Sequence, residues 1–559
     1  MNLRSNLTPG TTEWAVRRAQ WRAMGIQDAD LEKPKIAIVN SSSQLSICFT
    51  HLDEVAREVA TEIRAAGGLP FEIRTAAPSD FITSAGRQAR YLMPTRDLVV
   101  NDIEVQVEGA LLDGMVCLSS CDKTTPAHLM AAGRLDVPTV VVIGGYQAGG
   151  MCEGVRVDID DVYEQVGAYA AGKLDLAGLT ALTEHAVDGP GVCAGLGTAN
   201  TMHILAEALG MTMPGSAPVR AGSEAMLERA RAAGRAIVAL IANGQRPRAT
   251  MTREAFENAV VVDLAIAGSV NSARHLQAIA VETGVDVDIY GLIERLSLEV
   301  PMVCAVRPNG LHHVDDLDRA GGARAVLARL RDRLHLDVMT VTGRSLGDVL
   351  ADVEVEDDTV IRPLAKAFRP TSGLTLVRGS LAPDGAIVKI GAVPAGRERF
   401  TGGARVFATE DDAKRAIADG GIAGGEVVVL AGFGPKGGPG TVFAAGLVAA
   451  LNGAGLASEV AVVTDGELSG LNRGITIGQV MPEAAEGGPL GLVREGDTIV
   501  IDLIERRVDL DVDAAELAAR RSLRVEPPLP TSRSWLTFYR HLVQPLSAGA
   551  VLGPVTSDE

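Results

Sequence analysis

Between Gly114 and Gly133 the chain reads GMVCLSSCDKTTPAHLMAAG. An apolar run, Met115 to Leu118, has the length of a buried strand; it breaks on Ser119 and Ser120 and resumes at Ala127 as a helical pattern. A strand that turns at once into a helix is half of a βαβ unit, and it commits the surrounding chain to a sheet covered by helices. The turn carries a thiol, a carboxylate and an amine: Cys121, Asp122 and Lys123. Open α/β sheets bind ligands at this edge, where strand carboxyl ends and helix N-termini meet. Alone, the tripeptide reads first as an inert buried cysteine beside a solvated ion pair.

The same alternation runs through the first half. Residues 35–40 (KIAIVN), 71–75, 115–118 and 138–143 (PTVVVI) read as strands, with helical patterns at 52–66 and 103–112 between them. This spacing predicts a mostly parallel sheet. Further helices are expected over 160–172, 202–210, 223–242 and 322–334, so an N-terminal α/β domain covers residues 1–355. A stretch rich in charge, Pro and Gly follows and reads as a linker, 356–375. Beyond it, short β segments at 375–377, 386–390, 427–430, 460–463 and 498–504 are punctuated by Gly and Pro, which predicts a smaller, β-rich, barrel-like domain over 376–559. A chain of 559 residues exceeds what one core usually supports, in keeping with two domains.

A net charge of -18 excludes nucleic acid and anionic membranes as partners. No stretch approaches the ~18 apolar residues of a membrane span, and the N-terminus lacks the apolar core of a signal peptide, so a cytoplasmic protein is expected. Six scattered cysteines, at 48, 117, 121, 152, 193 and 304, do not make a disulfide framework. Cys48 and Cys193 share the setting of Cys121: each lies in a polar or Gly-rich loop just before a helix. Three thiolates converging from distant sequence suit an iron–sulfur cluster with one open iron. Buried structural cysteines are the simpler reading, and structural zinc is disfavoured because no C-x-x-C pair occurs. The GPKGGPG loop at 434–440 lacks P-loop spacing.

Nine blocks, in order, give the chain a family resemblance. They are LRS (3–5), C-x-x-H-L (48–52), SD (79–80), CDKTTP (121–126), C-x-G-x-x-TANTM (193–202), LAPDGAIVK (381–389), GPKGGPG (434–440), TDG-x-x-SG (464–470) and PEAAEGGP (482–489). Over nearly its whole length the chain resembles the dihydroxy-acid and sugar-acid dehydratases, iron–sulfur hydro-lyases. The resemblance implies that Cys48, Cys121 and Cys193 hold a cluster, [2Fe-2S] or alternatively [4Fe-4S]. It implies that Asp80, Asp122 and Lys123 hold a neighbouring Mg²⁺, the lysine as a carbamate. Carbamylation is chemically apt, since an ammonium cannot ligate a cation and a carbamate offers hard anionic oxygen. Ser469 matches the residue that removes the C2 proton as an alkoxide. A homodimer or homotetramer is implied as well.

The chain also departs from its family. Where relatives read GPGMPEM and place a Mg²⁺-binding glutamate, this chain has Phe443, and the usual DGRFSG has become Asp465-Gly466-Glu467-Leu468-Ser469-Gly470. Gln479 and Phe49 replace a usual His and Asn. Three readings stand open: Glu467 supplies the missing carboxylate, the metal site is weakened and the activity drifted or lost, or the correspondence slips by a residue. The expected function is dehydration of a 2,3-dihydroxy carboxylate to a 2-keto acid. CDKTTP favours a sugar acid (aldonate) as substrate, with the dihydroxy acid of branched-chain amino-acid biosynthesis as the alternative. A non-catalytic cluster protein is the rival of another class, and the retained Lys123 and Ser469 count against it.

Overall fold

A computed structural model describes residues 3–85, 89–468, 473–523 and 532–554. Ser469 lies outside the described residues. The first sheet has four parallel strands, β1 (Lys35–Asn40), β2 (Leu69–Arg74), β3 (Gly114–Ser119) and β4 (Thr139–Ile143), in the order β2-β1-β3-β4. Every residue of β1, β3 and β4 is buried, which explains why KIAIVN and TVVVI run apolar without alternation: helices cover both faces. Chain order reverses between β1 and β3. That switch point leaves a crevice beyond their carboxyl ends, flanked by the loop after β1 and the turn after β3.

The expected helices are present as Leu52–Ala65, Leu92–Gly109, Ile159–Ala170, Thr198–Ala208, Glu224–Asn243 and Gly322–Arg329; most bounds agree within a few residues, but the helix expected from 103 begins eleven residues earlier and the one expected to reach 334 stops at Arg329. The sequence reading passed over Arg253–Ile266 and Ser272–Thr283. Both are buried around nearly their whole circumference, so they lack the polar stripe by which an amphipathic helix is recognised. A short hairpin, β5 (Gly150–Cys152) and β6 (Val155–Val157), precedes the helix Ile159–Ala170.

The second sheet has eight strands: β7 (Thr375–Val377), β8 (Gly385–Val388), β9 (Arg399–Phe407), β10 (Glu426–Leu430), β11 (Ala461–Thr464), β12 (Thr476–Met481), β13 (Thr498–Asp502) and β14 (Arg507–Leu510). Their order is β14-β13-β9-β10-β11-β12-β8-β7, with β9 to β12 parallel. Arg378, just past β7, bridges to Arg507 at the start of β14, with Arg378 N–H donating to the Arg506 carbonyl (3.0 Å), so the sheet nearly closes into a barrel. Alternation decides which side chains fill it. Val427, Val429, Ala461, Val463, Ile499 and Ile501 form the barrel's interior, while Val428, Leu430 and Val462 join the core shared with the first domain.

The two halves interlock. The helix Ala445–Ala454 lies on Ile159–Ala170 so closely that a β-carbon on Gly167 would stand 2.1 Å from the Ala449 carbonyl. Residues 361–369 run against 302–304, Arg362 N–H donating to the Val303 carbonyl (2.9 Å). Near its end the chain returns to the first domain, where buried Arg96 donates to the Gly549 and Ala550 carbonyls. Among the described residues no helix is long and apolar enough to cross a membrane.

Candidate active site

Three parallel strands deliver chemistry at the same edge. The loop after β1 carries Cys48, the segment after β2 leads to Asp80 at the head of the short helix Asp80–Thr83, and the turn after β3 carries Cys121, Asp122 and Lys123. Cys193 comes from the loop before Thr198–Ala208. Cys121, Cys193, Asp80 and Asp122 line one cavity together with Asp160, Thr198 and an apolar wall of Phe81, Tyr163, Val192 and Phe443. The Phe81 and Tyr163 rings pack with centroids 6.0 Å apart.

The thiols are free; Cys48 and Cys121 are buried and Cys193 is half-buried. A hydrogen bond from Cys121 brings the Cys48 thiol down to about 7 against the opposing effect of burial, and the same contact, with burial, pushes Cys121 well above its ordinary value. Burial, then Asp160, raises Cys193. Ser120 Oγ donates to the Cys48 carbonyl, fixing the two cysteine loops against each other.

Next to the thiols is a knot of buried charge. Lys123 Nζ, wholly buried, stands 3.5 Å from Asp122 Oδ2, 3.5 Å from Glu467 Oε1 and 3.8 Å from Asp80 Oδ2. Burial, then the Asp122 carboxylate, raises Asp80 well above the carboxylate range. For Asp122 burial acts in the same upward sense but is outweighed by Lys123 and by hydrogen bonds from Asp80 and Thr198, so it stays low. Glu467, also wholly buried, pairs with buried Arg274 of Ser272–Thr283.

Glu467 and Phe443 reach this place by one local structure. The GPKGGPG loop follows β10 and the TDG loop follows β11; beyond them Phe443 and Glu467 face each other in a parallel bridge. Two buried carboxylates hold the loops. Asp465 accepts from the Gly432, Phe433 and Ala484 amides, and Glu483 from those of Lys436 and Gly437. Burial, then Asp465, pushes Glu483 up to about 8.

Asn271 links the halves of the site, its Nδ2 donating to Thr198 Oγ1 and to the Leu468 carbonyl, both at 3.2 Å. Gln479 Nε2 donates to the Val270 carbonyl at 2.7 Å, so it stabilises this segment. Sequence reasoning missed Arg274, Asn271, Asp160 and Tyr163. An arginine inside the otherwise buried run SVNSARHLQAIA was the one available signal.

The residues present fit the cofactors that the resemblance implies. Three free thiols, two of them buried, suit a thiophilic cluster, and the oxygens of Asp80, Asp122 and Glu467 suit a hard divalent cation. Asp80 Oδ1, Glu467 Oε2 and Lys123 Nζ are buried without hydrogen-bond partners, a cost that a bound cation and a modified lysine would remove. Among the described residues no three His, Cys, Asp or Glu side chains close on a common point as a formed metal site; Lys123 Nζ stands among the carboxylates.

Comparison with known proteins agrees with this arrangement. Models of the dihydroxy-acid/6-phosphogluconate dehydratase N-terminal and C-terminal domains match residues 33–349 and 359–550. The chain belongs to the dihydroxy-acid/6-phosphogluconate dehydratase family. Relatives named dihydroxy-acid dehydratase include those of Syntrophobacter fumaroxidans, 41% identical over 98% of this chain and 99% of the relative, and Ignicoccus hospitalis, 42% identical over 97% and 98%. That of Pyrococcus abyssi is 41% identical over 98% and 100%. Membership makes the chain a dehydratase, a carbon–oxygen lyase. The aldonate favoured from CDKTTP gains nothing from these relatives, whose names match the alternative reading.

Proposed function

We propose that this dehydratase converts a 2,3-dihydroxy carboxylate with an apolar C3 substituent, of the kind used in branched-chain amino-acid biosynthesis, into its 2-keto acid. The relatives' names favour this substrate over a sugar acid. The observation that carries it is the cavity itself, where Asp80, Asp122, Asp160, Thr198, Cys121 and Cys193 share the lining with Phe81, Val192, Phe443 and the Tyr163 ring. A polyhydroxylated chain needs several polar partners along its length, and an aromatic wall leaves its hydroxyls unpaired.

In this reading Cys48, Cys121 and Cys193 hold an iron–sulfur cluster, and Asp80, Asp122, Glu467 and a carbamylated Lys123 hold Mg²⁺. When bound, the two groups supply Lewis-acid chemistry toward the departing 3-hydroxyl and toward the substrate's carboxylate and 2-hydroxyl. Ser469 takes the C2 proton. The electron pair of the broken C2–H bond becomes the C2–C3 double bond, the C3–O bond breaks with its electron pair going to oxygen, the departing hydroxide takes the proton held by Ser469 and leaves as water, and the enol tautomerises to the keto acid. Asn271, by holding the Leu468 carbonyl, positions the backbone next to this base. The apolar wall excludes bulk water from the reacting carbons.

The test is a panel of branched dihydroxy acids and aldonates assayed for keto-acid release by anaerobically reconstituted protein. Branched acids should be turned over with the higher kcat/KM, and preference for aldonates would end the substrate assignment. Ser469→Ala should keep iron content and fold and lose roughly 10²-fold or more in kcat. Near-normal turnover would remove Ser469 from the chemistry.

A further inference from the structure

A second cavity, of about 460 Å³, opens on another face, between the segment 215–223, Tyr146 and the helices Val314–Arg319 and Gly322–Arg329. Five arginines line it, Arg156, Arg220, Arg229, Arg319 and Arg324, against two carboxylates, Asp315 and Asp318. In a chain of net charge -18 such a concentration of guanidinium runs against the overall balance.

The two carboxylates are already engaged. Asp315 pairs with Arg156 (2.6 Å) and Arg319 (2.8 Å), and Asp318 accepts from the Tyr146 hydroxyl (2.8 Å). Arg229 and Arg324 are different. They converge over Gly215, where a β-carbon would stand 3.0 Å from Arg324 Nε and 3.3 Å from Arg229 Nη2. Among the described residues neither forms an ion pair; Arg229 Nε reaches only the Gly215 carbonyl at 3.4 Å, and Arg324 Nε is buried without a hydrogen-bond partner. Buried Glu207 attracts Arg324 without an ion-pair contact, its oxygens accepting instead from the amides of Gly215 (2.7 Å) and Ala217 (2.9 Å). Arg220 has only a distant contact with Asp188, at 3.8 Å. Ser223 and Ala225, at the N-terminus of the 20-residue helix Glu224–Asn243, line the same cavity, so the positive end of that dipole adds to the field.

We propose that this cavity binds a small, multiply charged oxyanion, with Arg229 and Arg324 as its paired anchors and Arg220 at the rim. Two guanidinia meeting with no carboxylate hydrogen-bonded to either, and only the more distant attraction of Glu207 on Arg324, repel each other, and a phosphoryl or dicarboxylate group between them converts that repulsion into charge-assisted, forked hydrogen bonds. Phosphoryl and carboxylate oxygens share this chemistry. The site is separate from the dehydratase cavity and independent of the substrate assigned there.

The experiment is calorimetric titration of the intact protein, at fixed ionic strength, with inorganic pyrophosphate in one arm and succinate in the other. Saturable binding of at least one probe, one per chain, is expected, and the arm that binds identifies the oxyanion. Arg229→Ala and, separately, Arg324→Gln should each weaken it tenfold or more, with Arg229→Lys intermediate because charge returns without the fork. Each variant is checked by its melting temperature, so loss of fold is not read as loss of binding. Absence of saturable binding in both arms, or unchanged affinity in folded Arg229→Ala and Arg324→Gln proteins, overturns the proposal.

Discussion

Phe443 and Glu467 stand opposite each other in a parallel bridge, with Glu467 N–H donating to the Val442 carbonyl at 3.0 Å and Ala444 N–H to the Glu467 carbonyl at 3.2 Å. Residues paired in register point to the same side of their ribbon. The ring therefore lines the cavity beside Asp80 and Asp122, and the carboxylate enters the charge knot around Lys123. On the reading in which Glu467 replaces a carboxylate at position 443, that carboxylate crosses one bridge and stays within the same site.

If Glu467 does the work of the missing glutamate, Glu467→Gln should weaken Mg²⁺ activation tenfold or more while leaving iron content alone. Phe443→Glu added to that variant should restore part of the metal response. Titrating activity and Mg²⁺ binding in all three proteins is the measurement. An unchanged metal response in Glu467→Gln ends the compensation reading.

Arg274, in direct contact, is with Lys123 a counter-charge that lets Glu467 be buried. Burial brings its guanidinium down to about 10, the mark of a cation held far from water. Arg274→Met should leave Glu467 poorly compensated and cost about 3–5 kcal/mol in urea unfolding, and Arg274→Met with Glu467→Gln should recover much of that loss. Additive losses in the two single variants would show that the pair is not coupled.

On the proposed reading the cysteines divide into ligands and filler. Cys117 lies within β3 in the core, and burial alone raises its thiol; Cys121, four residues on, is past the strand end and hydrogen-bonded to Cys48. Purified without oxygen, the protein should carry iron and sulfide. Cys121→Ser should lose both, and Cys117→Ser should lose neither. Wild-type protein carrying stoichiometric zinc and no iron would overturn the cluster assignment.

β1, β3 and β4 were legible because buried parallel strands announce themselves as short apolar runs, and β1 and β3 are followed by polar breaks containing Cys48 and Cys121-Asp122-Lys123 respectively. The barrel was legible as a class but not strand by strand. β9 (RFTGGARVF) and β12 (TIGQVM) contain glycines or polar residues that mask their alternation, and only tertiary pairing reveals them. Arg274 and Asn271 were illegible for a different reason. Their function lies in what they touch across domains, and helix-period reading assigns such positions to an undifferentiated core. Glu467 was identified by comparison with family motifs, whereas its partners came only from the fold.

Glu483 supplies a prediction about pH. It is wholly interior to the junction of the GPKGGPG and PEAAEGGP segments, and its carboxyl is raised from 4.5 to about 8, by burial first and the neighbouring Asp465 second, against the amides of Lys436 and Gly437 that favour the anion. Between those two values the folded chain keeps a proton that the unfolded chain has released, so the folded state binds more protons and stability falls as pH rises. The contribution is fully present below about 4.5 and is lost by about 8. A shift of this size corresponds to a few kcal/mol at most, since each unit is worth about 1.4 kcal/mol. Glu483→Gln removes the titration yet keeps an oxygen to accept one of the two amide bonds. Urea unfolding of both proteins across this window should therefore show wild type losing stability more steeply than the variant. Parallel curves would mean that Glu483 is ionised in the folded protein throughout, with the two amides and the loop dipoles prevailing over burial.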